Sequence, residues 1–290
     1  MREYFYHSPE SLDELLKSLE GLKGQEVSLV AGGTDFVPRL SKELNEIPLV
    51  EKSPLHIVYL GNMGYQDVKY MDNIITIGAL CSLSNIKNNS IIKEKLPVLV
   101  DTLSQLAGIS IRNIATIGGN IMNASPAADC IPTLLALDAE FELAGLEGKR
   151  IVSAKDFFVG PGKTVKKDGE VLINILIKEP NGHAAFKKIG RRKAETLSVV
   201  NAAAYIEVEN DICMCARFAV GAAAPTTVRC YETEKLLVGK KLTSELVCEA
   251  SKKVIDEISP IDDIRTSAYY RKRVAPVILS RAIIAACNME

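Results

Sequence analysis

The sequence predicts an α+β protein rather than a doubly wound parallel sheet. Helical and strand-like segments are mixed along the 290 residues without a strict βαβ alternation. Two glycine pairs, Gly32-Gly33 and Gly118-Gly119, each follow an apolar or β-branched run, so each reads as a strand delivering bare backbone to a bound group. The stretch Glu179-Pro180-Asn181-Gly182 clusters Pro and Gly after a finished strand and marks a division near residue 178.

The elements follow in order. Ser11-Leu12-Asp13-Glu14 is a capping box, and Leu12, Leu15, Leu16 and Leu19 share one helical face that Gly21 and Gly24 bring to an end. Residues 27–31 read as a buried strand entering the first glycine loop, and 35–41 as a short helix whose N-terminus faces what the loop binds. Residues 65–71 and 74–78, split by Asp72-Asn73, form a hairpin. A charged, Asn-rich connection leads to a helix over 96–106. Past the second glycine pair come a helix over 131–137, a strand over 140–144, a turn at 166–169 and a strand over 171–177. Beyond the division lie strands around 184–189, 199–208 and 212–220. Helices near 231–237, 244–258 and 267–286 complete the chain, and Pro276 should kink or shorten the last of them.

Composition narrows the function. A net charge of −1 leaves no electrostatic footprint for nucleic acid and no polybasic membrane patch. The longest apolar runs are too short to span a bilayer, and the N-terminus lacks a signal-like core, so the expected location is cytoplasmic. Seven scattered cysteines form no C-x-x-C, which reads as small buried hydrophobes in a reducing compartment rather than cluster or zinc ligands. Cys213 and Cys215, the one close pair, would point to the same face of a strand. His7, His56 and His183 lie far apart in sequence without metal spacing, so no metal site and no catalytic nucleophile–base pair is expected.

Neither glycine loop matches G-x-G-x-x-G or a P-loop. Two such loops do suit a diphosphate, gripped from two sides by main-chain N–H groups. Thr34, Asp35 and Asn120 add side-chain hydrogen-bonding groups. Asp129, just before a helix, reads equally as an acceptor for ribose hydroxyls or as an N-cap.

Seven linked stretches carry a resemblance that covers essentially the whole chain: VAGGTD (30–35), IRNIATIGGNI (111–121), ASPAADCIPTLLALDA (124–139), FFVGPGKT (157–164), FKKIGRRKAETLSVVN (186–201), GAAAPTTVR (221–229) and IRTSAYYRKRVAPVILS (264–280). In this order the chain resembles the FAD-binding medium subunit of the xanthine dehydrogenase, or molybdenum hydroxylase, family. The resemblance implies a PCMH-type FAD-binding fold over residues 1–178, with subdomains of about 1–55 and 56–178. A C-terminal domain of a small antiparallel sheet plus helices would occupy 179–290. It also implies a first pyrophosphate loop of Ser28, Leu29, Val30, Ala31, Gly32, Gly33, Thr34 and Asp35, and a second of Thr116, Ile117, Gly118, Gly119 and Asn120. Asp129 would lie near the FAD ribose, the Leu172 backbone near the flavin ring, and Lys187 near the ring's polar edge. Without the resemblance Lys187 reads as a surface charge, and Arg191-Arg192 as a solvated strand end.

The implied function is electron transfer: from [2Fe–2S] clusters in a small partner subunit, through FAD in this chain, to NAD or another acceptor. Substrate would be oxidised at molybdopterin in a large partner subunit. VAGGTD (30–35) and GPGKT (160–164) lean towards the xanthine or purine branch. A self-sufficient flavin reductase or oxidase and a non-catalytic nucleotide-binding assembly subunit are the two alternatives.

Overall fold

A computed structural model describes residues 2–44 and 53–288. Its first unit is a small parallel sheet. Strands β1 (Tyr4–His7), β2 (Glu26–Val30) and β3 (Leu55–Tyr59) lie in the order β1-β3-β2, with helices α1 (Leu12–Gly21) and α2 (Phe36–Leu44) between them in sequence. Ser11 caps α1 by accepting the Glu14 N–H at 3.2 Å, and Leu15 and Leu16 bury against Val58. Because β3 is the central strand, this subdomain runs through Tyr59 and the expected division at residue 55 falls inside a strand. The sheet also brings together two histidines that are remote in sequence: His7 Nε2 and His56 Nδ1 share a hydrogen bond of 2.9 Å with their rings stacked.

The second unit holds an antiparallel sheet. Strands β4 (Val68–Met71) and β5 (Ile74–Gly78) form the expected hairpin, with Asp72 and Asn73 both at positive φ, as a two-residue type I′ turn requires. The charged connection is not a loop but two short helices, α3 (Leu83–Asn88) and α4 (Ser90–Lys95). Asn89 ends one and caps the other, its Oδ1 accepting the N–H groups of Ile91 and Ile92. Helices α5 (Pro97–Gln105), α6 (Ile109–Ile114), α7 (Ile117–Met122) and α8 (Cys130–Ala136) follow. Then come β6 (Glu140–Gly145), β7 (Gly148–Ser153), the single-turn α9 (Ala154–Phe157), the small pair β8 (Phe158–Gly160) and β9 (Lys163–Thr164), and β10 (Val171–Lys178). The five-stranded order is β4-β5-β10-β6-β7. The near-continuous apolar run of β10 fits its central place, covered on both faces.

The third unit begins at β11 (His183–Gly190) and continues with β12 (Ser198–Glu209), β13 (Ile212–Gly221) and β14 (Val228–Arg229) in one antiparallel sheet. One face packs on α13 (Ala268–Ala286) through Ala202, Ala204 and Ile206, and the other joins the second unit's core through Phe186, Ala203 and Tyr205. Helices α10 (Tyr231–Lys235), α11 (Ser244–Ser251) and α12 (Val254–Glu257) complete the unit. The helix expected over 244–258 is thus broken at Lys252 and Lys253. Pro276 lies buried within a helix of 19 residues and does not end it. Cys213 and Cys215 do not share a face: a β-bulge between them places Cys213 in the helix-side core and leaves Cys215 packed on the other. Among the described residues no helix is long and apolar enough to cross a membrane.

Candidate cofactor site

The two glycine stretches meet at one cleft of about 360 Å³, between the first unit and the second. Its lining includes Leu29 through Asp35 on one side and Thr116, Gly119 and Asn120 on the other. The first stretch leaves β2 at Val30 and enters α2 at Phe36. Among the described residues, nothing accepts a hydrogen bond from the N–H groups of Gly32, Gly33, Thr34 or Asp35. Four consecutive amides without an acceptor lead into a nine-residue helix, an arrangement of the kind that suits an anion. The Asp35 carboxylate is turned to account locally, pairing with Arg39 one turn on.

The second stretch works differently from the sequence expectation. It does not end a strand: α6 precedes it, and both glycines fall in the first turn of α7. Its amides are already committed. Ile117 donates to the Cys81 carbonyl, Gly118 to the Ala79 carbonyl, Gly119 to the capping Thr116 Oγ1 at 3.0 Å and Asn120 to the Thr116 carbonyl. What this side offers the cleft is the bare Cα of Gly119 and the Asn120 side chain, whose buried Oδ1 has no partner. An orphaned acceptor in a cleft is a place for a ligand's donor.

The four glycines divide by cause. A Cβ on Gly32 would lie 2.0 Å from the Ile114 carbonyl oxygen, and one on Gly118 would lie 2.6 Å from that of Ala79. Those two permit backbone packing. Gly33 has φ +69°, a left-handed conformation, and a Cβ on Gly119 would approach nothing closer than the Thr116 hydroxyl at 3.1 Å. Gly119 is therefore bare towards the cleft and not towards the protein.

The remaining expected residues lie outside the lining. Ser28 sits mid-strand opposite Ile57, and Ile117 and Gly118 are buried beneath the cleft. Leu172 is a core residue of β10 and does not line the cleft. Asp129 neither caps α8 with its side chain nor faces the cleft. Its Oδ2 forms a buried ion pair with Lys188 Nζ at 2.7 Å, and its Oδ1 accepts from Ser198 at 2.5 Å and Asn201 at 2.8 Å. This network fastens the second unit to the third. Strand alternation puts Lys187 on the opposite face from Lys188, exposed and away from Asp129.

Sequence reasoning missed Arg39 and Gly162, which line the cleft, as does Asn123 at the end of the second stretch. Arg39 was readable only as the i+4 partner of Asp35. Asn123 and Gly162 stand beside or within quoted motifs, and the fold joins those stretches: the Gly162 N–H donates to the Ala124 carbonyl at 3.0 Å, with Ala124 at φ +45°. The walls otherwise are apolar, with Leu29, Leu106, Ile111 and Met122, so the cleft can take an extended ligand with one anionic segment.

Fold and cleft together define a binder of a phosphate-linked cofactor, built from a parallel-sheet lobe closing on a mixed lobe. Comparison with known proteins gives the class its name. The family model described as "FAD binding domain in molybdopterin dehydrogenase" matches residues 2–179, and "CO dehydrogenase flavoprotein C-terminal domain" matches residues 184–286. The glyceraldehyde dehydrogenase medium chain of Sulfolobus acidocaldarius is 34% identical over 281 residues, covering 97% of both chains. The xanthine dehydrogenase FAD-binding subunit of Escherichia coli O157:H7 is 29% identical, covering 97% of this chain and 96% of its own. Among solved structures, the carbon monoxide dehydrogenase of Hydrogenophaga pseudoflava superimposes with a TM-score of 0.92 at 27% identity, covering 99% of this chain and 98% of that one. The chain belongs to the FAD-binding medium subunits of the molybdenum hydroxylase family, with their PCMH-type fold. It is an oxidoreductase subunit.

Proposed function

We propose that this chain is the electron-transfer subunit of a xanthine- or purine-type molybdenum hydroxylase in the cytoplasm. It takes electrons from [2Fe–2S] clusters in a small partner subunit and passes them, with FAD held in the cleft, to NAD. Substrate oxidation belongs to a molybdopterin-binding large subunit. One observation carries the cofactor assignment: residues 32–35, whose backbone N–H groups are free, and Asn120, whose buried Oδ1 has no partner, line the same cleft. A bound flavin supplies the exchange between one-electron donors and a two-electron acceptor.

The chain's own residues bind and orient. The free amides of Gly32, Gly33, Thr34 and Asp35, at the N-terminus of α2, would hold the diphosphate, and Asn120 Oδ1 would accept from a ligand hydroxyl or amine. Gly119 leaves room where a side chain would stand. Leu29, Leu106, Ile111 and Met122 keep water from the walls. Asp129, Lys188, Ser198 and Asn201 act at a distance, fixing the third unit against the second. The purine assignment is supported by VAGGTD (30–35) and GPGKT (160–164).

Isolation of the native complex tests this reading. Molybdenum, iron and flavin are expected in one assembly, with xanthine-dependent reduction of NAD. Flavin without iron or molybdenum would defeat the partner assignment, and reduction only of other acceptors would defeat that of NAD.

A further inference from the structure

The small parallel sheet ends in an edge that the proposed function leaves unused. Among the described residues its outer strand β1 is paired on one side only, with β3. The Leu55 N–H donates to the Glu3 carbonyl at 2.9 Å, so the main-chain groups of Glu3, Phe5 and His7 are directed at β3. Those of Tyr4 and Tyr6 alternate with them and point away from the sheet. The N–H and C=O groups of these two tyrosines therefore stand ready, spaced as one more strand requires.

Sheet edges are commonly blunted with charge. The other outer strands of the three larger sheets follow that rule: β2 carries Glu26, β4 Lys69, β7 Lys149 and Arg150, β11 Lys187 and Lys188, and β14 Arg229. Strand β1 breaks it, with Tyr4-Phe5-Tyr6 and neither lysine, proline nor bulge. Phe5 stacks on the His56 ring at a centroid distance of 4.9 Å yet stays 45% exposed, and Tyr6 on the opposite face is 66% exposed. The order Glu3-Tyr4-Phe5-Tyr6-His7 is also nearly a palindrome. Laid antiparallel on a second copy with Phe5 at the centre, Tyr4 meets Tyr6, Phe5 meets Phe5 and Glu3 meets His7. The Glu3 carboxylate, which pairs with nothing among the described residues, then faces an imidazole that can donate to it.

We propose that β1 is the docking edge for a second copy of this chain, the two β1 strands pairing antiparallel about a two-fold axis at Phe5. Tyr4 of one copy and Tyr6 of the other form the hydrogen-bonded pairs, each exchanging both N–H···O bonds, and the Phe5 side chains meet in the close, non-hydrogen-bonded pair between them. Two three-stranded sheets thereby become one, and the outward main-chain groups of β1 all gain partners. The contact is isologous, so it closes at two copies. A foreign strand could use the backbone groups alone. The two-fold match of aromatic to aromatic and of carboxylate to imidazole favours the chain's own copy. So short a seam makes a small interface, and the dimer is therefore reversible.

Sedimentation of the full chain over about a hundredfold range of concentration is the test, and wild type should pass from monomer to dimer. Tyr6→Pro removes an outward N–H while leaving the ladder to β3 intact, and Phe5→Lys sets two like charges on the axis. Each should raise the dimer dissociation constant at least about tenfold, with the melting temperature at the wild-type value. Where a variant loses stability, cross-linking decides. With the exposed Cys248→Ser throughout, Phe5→Cys should give a disulfide-linked dimer under copper–phenanthroline oxidation, and Tyr4→Cys, diagonal to its own copy, should not. Wild type that stays monomeric throughout would overturn the proposal. So would a dimer unmoved by both stable variants, a species larger than a dimer, or cross-linking through Tyr4→Cys and not Phe5→Cys. Tyr4 and Tyr6 amides that exchange slowly only in the presence of other subunits would overturn it as well, giving the edge to a foreign strand.

Discussion

At the residue scale, the glycines separate packing from binding, and substitution should separate them too. Gly32→Ala and Gly118→Ala force a Cβ into the carbonyls of Ile114 and Ala79, so both should destabilise the fold by about 1–3 kcal/mol, seen as a lowered melting temperature. Gly119→Val should leave the unfolding free energy of the flavin-free chain within about 1 kcal/mol of wild type while sharply reducing flavin uptake, read from the visible absorbance after reconstitution. Equal flavin in wild type and Gly119→Val would remove Gly119 from the site. The thiols offer a parallel check. Burial pushes Cys81 and Cys213 up to about 11 and holds Cys130 and Cys230 higher still. Native chain treated with iodoacetamide at pH 8 should therefore be alkylated at the exposed Cys248 while those four stay unmodified.

At the scale of elements, the legible parts were those set by short-range chemistry. The capping box at Ser11, the Asp72-Asn73 turn and the apolar run of β10 each state their structure in a handful of residues. The second glycine pair misled because Thr-Ile-Gly-Gly reads as strand then turn, yet Thr116 caps a helix and the neighbouring Ala79 and Cys81 carbonyls take the amides. Those carbonyls lie some forty residues upstream, beyond what local pattern can report. The same limit explains Asp129, whose partners Lys188, Ser198 and Asn201 come from another unit. Asp129→Ala would leave the Lys188 ammonium buried without a counter-charge, with only the Thr196 carbonyl to accept from it, a loss of about 3–5 kcal/mol by denaturant titration. Adding Lys188→Met should restore a large part of it. A single variant as stable as wild type would show the ion pair to be dispensable.

At the scale of the whole molecule, three cores are joined in series, and the third unit carries a pH signature of its own. Burial alone would raise the Asp263 carboxyl, but hydrogen bonds from Arg265, Arg271 and the Thr266 backbone outweigh it and hold the group well below its ordinary value of 3.8. A group depressed in the folded state stabilises fully above its unfolded value, and that contribution fades as pH falls. Stability should decline as the pH drops from about 5 towards 3, and Asp263→Asn should flatten that limb in a melting-temperature series. An unchanged slope would show that Asp263 has no part in it. The seam between the first two units has a consequence of another kind. Where Gly32 rests on Ile114, main chain meets main chain with no side chain between, so no rotamer change can widen the slot at that point. The seam behaves there as a fixed stop: the two units keep one spacing at Gly32 and Ile114, whichever rotamers line the rest of the cleft.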